Sequence, residues 1–186
     1  MNIDFSKLSG KDIYKVVSST VIPRPIAWIS TLNKEGVLNL APFSYFIPLG
    51  AEYLIVAIGH KSSGEEKDTL NNIKETGLAT ISFVSTNTME KMNLSSNELS
   101  SDISESKEYN IEMKSIDSAF PDMVSRSEGA FFCEFDRIVD MPHMTVPVIL
   151  KIKKAYFQNN ICDENYDIKM NNIARVGKSY AKLDNI

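Results

Sequence analysis

Residues 23–31 read PRPIAWIST and residues 39–46 read NLAPFSYF, and a seven-residue link joins the two runs. Both runs are rich in the apolar, β-branched and aromatic side chains that are typical of strands. The link contains Asn33-Lys34-Glu35-Gly36, which offers turn chemistry and a glycine where the backbone requires a positive φ. The pattern therefore predicts a β-hairpin.

This hairpin carries more polar side chains than a core hairpin needs. Ser30, Thr31, Asn39 and Ser44 bring hydroxyl and amide groups into an apolar setting. Each such group costs about 1–3 kcal/mol when it is buried without a partner. Either neighbouring backbone or a ligand supplies the partners. Trp28, the single tryptophan, either packs in the core or stacks on a cofactor. The core position is the more common one for a tryptophan in a strand.

Length and composition indicate one globular domain over residues 1–186. The hydrophobic fraction of 43% and the charged fraction of 24% are ordinary for a folded protein. A formal net charge of −4 provides no general attraction to nucleic acid or to an anionic membrane. We therefore expect neither of these as a partner.

The chain shows no signs of export or metal binding. It has no basic segment followed by an apolar core near its start, and no apolar stretch long enough to span a bilayer, so we expect a soluble cytoplasmic protein. Cys133 and Cys162 lack CxxC spacing, and free thiols are favoured over a disulfide between them. His60 and His143 have no companion ligands at metal-binding spacing, so we expect no metal site.

Further along the chain, apolar runs predict strands and capped amphipathic runs predict short helices. Strands are expected at residues 53–59, 78–84, 129–140 and 145–158, with Pro147 near a strand start or an edge. Helices are expected at residues 70–76, capped by Asp68 or Thr69 and ended by Gly77, and at residues 86–94, where methionines face the core. Residues 13–17 form a helix or a lead-in, and the polar residues 95–110 form an exposed or mobile connection.

At least six strands follow one another without regular strand–helix alternation. A doubly wound parallel sheet is therefore disfavoured, whereas an antiparallel barrel buries its strand edges. We predict a mainly β fold, an antiparallel barrel with short peripheral helices.

Lys67-Asp68-Thr69 opens a predicted helix, and this position has two readings. Free helix-terminal N–H groups, a hydroxyl and an ammonium would together favour an anion. The same three residues also make an ordinary helix cap that needs no ligand. Taken alone, the segment favours the ordinary cap.

Four blocks, in this order, carry a family resemblance. They are residues 23–31, residues 39–46, the run KDTLNNI with ETG at residues 67–77, and ARVGKSY at residues 174–180. Together they resemble the flavin reductase-like family of FMN-binding split barrels, and within it the flavoredoxin-like branch. The resemblance implies a six-stranded antiparallel Greek-key split β-barrel, a homodimer, and FMN held non-covalently.

The resemblance also implies a flavin reductase type of oxidoreductase. Hydride would pass from NADH or NADPH to FMN, or electrons would pass onward to another acceptor. The alternative is an FMN-binding electron carrier, or a flavin-holding protein, without nicotinamide turnover. Because the chemistry belongs to the cofactor, the protein needs no dedicated catalytic acid, base or nucleophile.

Carried over by position, the resemblance implies a cofactor-binding set with a ring end and a phosphate end. Asp68 would orient the loop, because a carboxylate beside a phosphate repels it. The full set comprises Trp28, Ser30, Thr31, Asn39, Ala41, Pro42, Phe43 and Ser44 toward the ring and ribityl chain, Lys67, Asp68 and Thr69 at the phosphate, and Tyr180 from the C-terminal segment.

Two features depart from the family pattern or stay open. Relatives often carry a histidine before the penultimate long strand and Gly-Glu within it. Here His143 lies earlier, and Leu150-Lys151 takes the Gly-Glu place, so this region does not predict nicotinamide binding. Arg24 either stabilises negative charge or fixes the start of the first strand.

Overall fold

The computed structural model describes residues 1–141 and 145–183, and its elements in those ranges are mainly strands. The helices are α1 (Gly10–Thr20), α2 (Asp68–Thr76), α3 (Met89–Leu94) and α4 (Glu105–Glu108), and a 3₁₀ turn spans Phe5–Lys7. The strands are β1 (Ala27–Leu32), β2 (Leu38–Phe43), β3 (Phe46–Pro48), β4 (Tyr53–Ile58), β5 (Leu78–Phe83), β6 (Met113–Lys114), β7 (Met123–Val124), β8 (Gly129–Ile138), β9 (Val146–Phe157), β10 (Ile173–Val176) and β11 (Ser179–Lys182).

The main sheet is antiparallel, with the strand order β2-β1-β5-β8-β9-β4-β3. Its two edges, β2 and β3, belong to one bent segment, residues 38–48, in which only Ser44 and Tyr45 separate the two strands. This segment pairs with β1 at one end and with β4 at the other, so it brings the sheet edges together. Counted once, it leaves six barrel strands, and the predicted split-barrel class is confirmed.

The first hairpin forms as predicted. Its register runs from Ala27 opposite Phe43 to Leu32 opposite Leu38. In the turn, Gly36 takes a φ of 78°, which a residue with a Cβ rarely adopts. Strand β1 lies between β2 and β5, so both of its edges are paired.

Strand β1 is buried on both faces. Its side chains alternate between the two faces, so they enter two different apolar clusters. Ala27 and Ile29 lie in the barrel core, together with residues of β4, α2 and β9. Trp28 points to the opposite side, into a second cluster that includes Leu40 and Met92. Thus α3 and the loops around it cover the outer face of the hairpin.

The helices differ from the prediction mainly at their starts. Residues 13–17 belong to the longer helix α1, and the helix predicted at residues 86–94 begins only at Met89. The expected cap of α2 is wrong: Lys67 occupies the N-cap position and makes no side-chain capping bond. Gly77 ends α2 in the left-handed conformation, as predicted.

The expectation of an exposed or mobile connection at residues 95–110 is wrong for part of that segment. Ser95, Ser104, Glu105 and Ser106 are buried. Helix α4 lies against β2, where the Glu105 carboxylate accepts a hydrogen bond from the backbone N–H of Leu40. Polar composition misleads here because the buried polar groups find partners inside the protein.

Three smaller expectations concern single residues or short segments. Pro147 is the second residue of β9, near a strand start as predicted. Cys133 and Cys162 are free thiols, and burial raises the pKa of Cys133 to about 12. His143 lies outside the described residues. In the part of the chain that the structure describes, no helix has the length and apolar character needed to cross a membrane.

Candidate functional site

Two neighbouring cavities lie along β2. The larger, of about 200 Å³, is bordered by Pro42, Phe43 and Ser44 from the bent segment and by Arg175 and Tyr180 from the C-terminal hairpin. The smaller, of about 30 Å³, is bordered by Asn39, Ala41, Lys67, Thr69, Glu98 and Glu105. Ser96 borders both cavities, so the turn after α3 separates them.

The C-terminal hairpin presents an aromatic and cationic wall to the larger cavity. Arg175 and Tyr180 are opposite one another in the β10–β11 register, and the guanidinium carbon lies 4.5 Å from the centre of the tyrosine ring. The Tyr180 hydroxyl donates to Asn93 Oδ1 at 2.8 Å. Among the residues that the structure describes, Arg175 is the one charged residue that borders this cavity. The wall therefore suits a planar group that carries partial negative charge.

Two lysines lie at the start of α2, at the smaller cavity. Lys67 Nζ lies 3.3 Å from the Glu98 carboxylate, and Lys61 Nζ lies 2.8 Å from the Asp68 carboxylate. Asp68 therefore pairs with a lysine instead of capping the helix. The N-cap residue Lys67 makes no side-chain capping bond. Lys67, Asp68 and Thr69 border the smaller cavity, so the positive end of the helix dipole lies beside it.

Thr31, Asn39 and Thr69 form a buried network that ties the hairpin to α2. The Asn39 amide donates to Thr69 Oγ1 at 2.8 Å and more weakly to Thr31 Oγ1 at 3.4 Å. Asn72 donates to Thr31 Oγ1 at 3.1 Å. These groups have protein partners, so the polar surplus of the hairpin does not by itself require a ligand. Asn39 and Thr69 nevertheless border the smaller cavity.

Ser30 and Trp28 are farther from either cavity. Ser30 is completely buried and donates to the carbonyl of Asp122 at 2.6 Å. Trp28 is completely buried as well, and its indole Nε1 donates to Ser95 Oγ at 2.8 Å. Both side chains serve the packed interior in this conformation, and their predicted flavin contacts have no support from this geometry.

Arg24 is a buried residue whose role the structure clarifies. Its guanidinium donates to the carbonyl oxygens of Ser18 and Val21, at the C-terminal end of α1, and lies 5.4 Å from the centre of the Tyr45 ring. A cation is favourable at that end of a helix dipole. Arg24 borders neither of the two cavities, so the structure supports its role in fixing the start of β1.

The sequence reasoning missed several residues of this site, among them Arg175, Ser96, Glu98 and Glu105. Arg175 lies in the segment ARVGKSY at residues 174–180, so the family resemblance could have indicated it. The other three lie in the polar segment after α3, where composition indicates only a loop. The pKa of Glu105 is raised, chiefly by burial, and the hydrogen bond from the backbone N–H of Leu40 opposes that rise.

Comparison with known proteins gives a consistent fold. Residues 18–173 match the model of the flavin reductase like domain. The crystal structure of nitrilotriacetate monooxygenase component B from Bacillus cereus superposes with a TM-score of 0.92 at 24% identity, over 100% of this chain and 96% of that one. Flavoredoxin of Desulfovibrio vulgaris (Miyazaki F) superposes with a TM-score of 0.78 at 11% identity, over 100% and 95% of the two chains.

One solved structure is similar at a higher identity. The 2-nitrobenzoate 2-nitroreductase of Pseudomonas fluorescens is 26% identical, with a TM-score of 0.90, and the match covers 100% of this chain and 94% of that one. These three proteins share the fold of this chain over nearly their full lengths.

Proposed function

Because the chain belongs to the flavin reductase like domain family, we propose that it is an FMN-binding oxidoreductase that takes hydride from NADH or NADPH. The family match over residues 18–173 confirms the resemblance inferred from the sequence. The reduced flavin would then serve a downstream acceptor.

The observation that carries this proposal is the order of chemical groups along β2. An aromatic and cationic cavity lies at one end, a polar network lies in the middle, and an uncapped helix N-terminus with two lysines lies at the other end. The parts of FMN follow in the same order: a planar ring, a hydroxylated chain and a phosphate. The residues present therefore fit this cofactor.

At the ring end, the backbone of residues 41–44 would line one side of the flavin and Tyr180 the other. Arg175 would stabilise negative charge at the pyrimidine side, as a cation in a partly enclosed cavity does. When bound, FMN would supply the hydride acceptor, and the protein would orient the rings and restrict water. This division of labour needs no catalytic acid or base.

At the other end, Asn39 would face the ribityl chain, and Lys67 with the start of α2 would hold the phosphate. A helix N-terminus favours an anion because its free N–H groups and its dipole both point at the ligand. Thr69 would donate from its hydroxyl, which at present accepts a bond from Asn39. Thr31 would support this end indirectly, through Asn39 and Asn72.

The second candidate is an FMN-binding electron carrier without nicotinamide turnover. Leu150 lies in the barrel core, and Lys151 pairs with Glu52 at 3.4 Å. The two positions where the resemblance implies Gly-Glu therefore serve packing and a surface ion pair here. This observation favours the carrier, because it removes one expected nicotinamide contact.

A homodimer is part of the proposal. Helix α1 is amphipathic, yet Ser18 is its single buried residue. Tyr14, Val21 and Ile22 are exposed on or beside it, and Ile47 is exposed on β3. An apolar surface of this kind is typical of an interface, and a second copy of the chain would cover it. Sedimentation velocity would show a dimer if this is right and a monomer if it is not.

The test of function has two steps. Purified protein is titrated with FMN while flavin fluorescence and absorbance are followed, and the complex is then mixed anaerobically with NADH or NADPH. Bleaching of the flavin band is expected with one nucleotide or both. Binding without bleaching would refute the reductase and leave the carrier. Absence of FMN binding at micromolar concentrations would refute both functions.

A cytoplasmic location is also part of the proposal. The two free thiols support it, and cell fractionation tests it.

A further inference from the structure

Glu98 occupies the donors that an anionic ligand would use. Its two carboxylate oxygens accept hydrogen bonds from the backbone N–H of Ser62 at 3.1 and 3.2 Å and from Ser62 Oγ at 2.6 Å. One of them also accepts a bond from Lys67 Nζ at 3.3 Å. These contacts come from the loop before α2, whereas Glu98 comes from the turn after α3. The pKa of Glu98 is lowered chiefly by the Ser62 hydroxyl, in agreement with an anionic carboxylate at this position.

The Glu98 carboxylate takes up space beside Lys67. The cavity that both residues border has a volume of about 30 Å³. Glu98, Lys67 and Thr69 all border it. A phosphate that approached Lys67 would meet the Glu98 carboxylate at close range, and like charges at that distance repel. One of the two anions must leave.

The competition favours the carboxylate at low ligand concentration, since Glu98 is part of the same chain. A tethered group acts at a high effective concentration, so it competes with a free ligand without any gain in contacts. Lys61 does not relieve this competition, because it is already paired with Asp68 at 2.8 Å.

We propose that Glu98 is a specificity-determining residue that occupies the phosphate subsite and weakens the binding of the phosphorylated flavin. This inference rests on the proposed function and deepens it. FMN then binds as an exchangeable ligand, because its phosphate must displace Glu98 from Lys67 and Ser62. Riboflavin has no phosphate and does not meet this competition.

Displacement of Glu98 also alters the boundary between the two cavities. Ser96 borders both of them and lies two residues before Glu98. Loss of the Glu98 contacts would therefore release the turn formed by residues 95–99, which lies between the two cavities. Trp28 anchors this turn at Ser95, so the movement is expected to begin after that residue.

The test compares wild-type protein with Glu98→Gln. Glutamine keeps the size and a carbonyl acceptor for Ser62 and removes the charge. Affinities for FMN and riboflavin are measured by flavin fluorescence titration at low ionic strength. We expect Glu98→Gln to bind FMN about tenfold more tightly, with riboflavin affinity unchanged within about twofold.

Glu66→Gln is the matched control. The Glu66 carboxylate pairs with Lys74 of α2, so the substitution removes the same charge near the same helix. Glu66 borders neither of the two cavities. The ratio of FMN to riboflavin affinity is expected to match wild type in this variant. An equal rise of that ratio in both variants would show a general charge effect and would overturn the role of Glu98.

Hydrogen exchange gives a second readout that does not depend on catalysis. Faster exchange of residues 96–102 is expected in Glu98→Gln, and in wild type on addition of FMN but not of riboflavin. An unchanged affinity ratio together with unchanged exchange in Glu98→Gln would refute the inference while flavin binding stands. If neither flavin binds to either protein, the proposed function itself fails.

Discussion

The indole Nε1 of Trp28 donates a 2.8 Å hydrogen bond to Ser95 Oγ, which in turn donates to the carbonyl of Met92 at 2.8 Å. The bond joins the start of β1 to the turn that separates the two cavities. The wall of the candidate site is therefore attached to the second apolar cluster of the protein, and Trp28 acts in packing.

Trp28→Phe tests this packing role. The change removes the N–H donor and part of a fully buried ring, so we expect unfolding to require about 2–3 kcal/mol less free energy. Urea unfolding followed by far-UV circular dichroism measures the loss. Tyr166→Phe, at a highly exposed position, serves as the control and should be neutral. If folded Trp28→Phe lost riboflavin binding more than about tenfold at unchanged stability, Trp28 would be a direct flavin contact.

Lys67→Ala tests the phosphate end. Loss of a charged hydrogen bond, worth about 1.5–3 kcal/mol, should weaken FMN by at least about tenfold and leave riboflavin nearly unchanged. Combining it with Thr69→Ala should weaken FMN further, although stability must be followed because Thr69 accepts the Asn39 bond. Lys74→Ala, farther along α2, is the control. Equal losses for both flavins would contradict the phosphate assignment.

Glu105→Gln tests the buried carboxylate under β2. Burial raises the pKa of Glu105 above its ordinary value of 4.5, so the folded state holds this proton more tightly than the unfolded state does. The favourable contribution of the protonated form is complete below pH 4.5 and is lost as pH rises through the raised pKa. Glutamine keeps an acceptor for Leu40 without charge, so the variant should lack this loss.

Urea unfolding at a series of pH values from 4 to 8 measures the effect of Glu105→Gln, with wild type beside it. Glu105→Ala provides the contrast, because it leaves the Leu40 N–H without its partner and should cost about 1–3 kcal/mol. The same pH dependence in wild type and Glu105→Gln would assign the titration to another group.

Gly129→Ala tests close packing in the barrel. A Cβ at this position would lie 2.5 Å from Phe157 Cδ1 and 2.9 Å from the carbonyl oxygen of Tyr156, so strand β9 or its phenylalanine must shift. We expect a loss of about 1–3 kcal/mol. Gly59→Ala meets nothing within 4 Å at an ordinary φ and should be nearly neutral. Thermal unfolding of the two variants checks the difference, and similar melting temperatures would contradict it.

Much of the barrel could be predicted from local patterns. The hairpin, the turn at Gly36 and strands β4, β5, β8 and β9 follow from runs of apolar residues bounded by turn residues. These signals are local, because side-chain alternation and backbone preferences act within a few residues. The blocks at residues 39–46 and 67–77 fall on β2 and α2, which border the two cavities.

The pairing of side chains across the site could not be predicted in the same way. The family resemblance implied that Ser30 and Thr31 face a flavin, yet Ser30 donates to the carbonyl of Asp122 and Thr31 accepts a bond from Asn72. Lys61 takes Asp68 away from its expected capping role. Each of these bonds joins residues from different elements or loops, and no local sequence pattern indicates which residues will meet.

The order of polar and apolar residues was thus enough to specify a β-barrel with an edge hairpin, because each strand and turn is encoded by neighbouring residues. Which anion lies beside Lys67, and which donor meets Trp28, depends on how the segment after α3 packs onto β2 and α2. Burial and hydrogen-bond satisfaction act there between distant residues, and they settle the chemistry of the site only once the chain has folded.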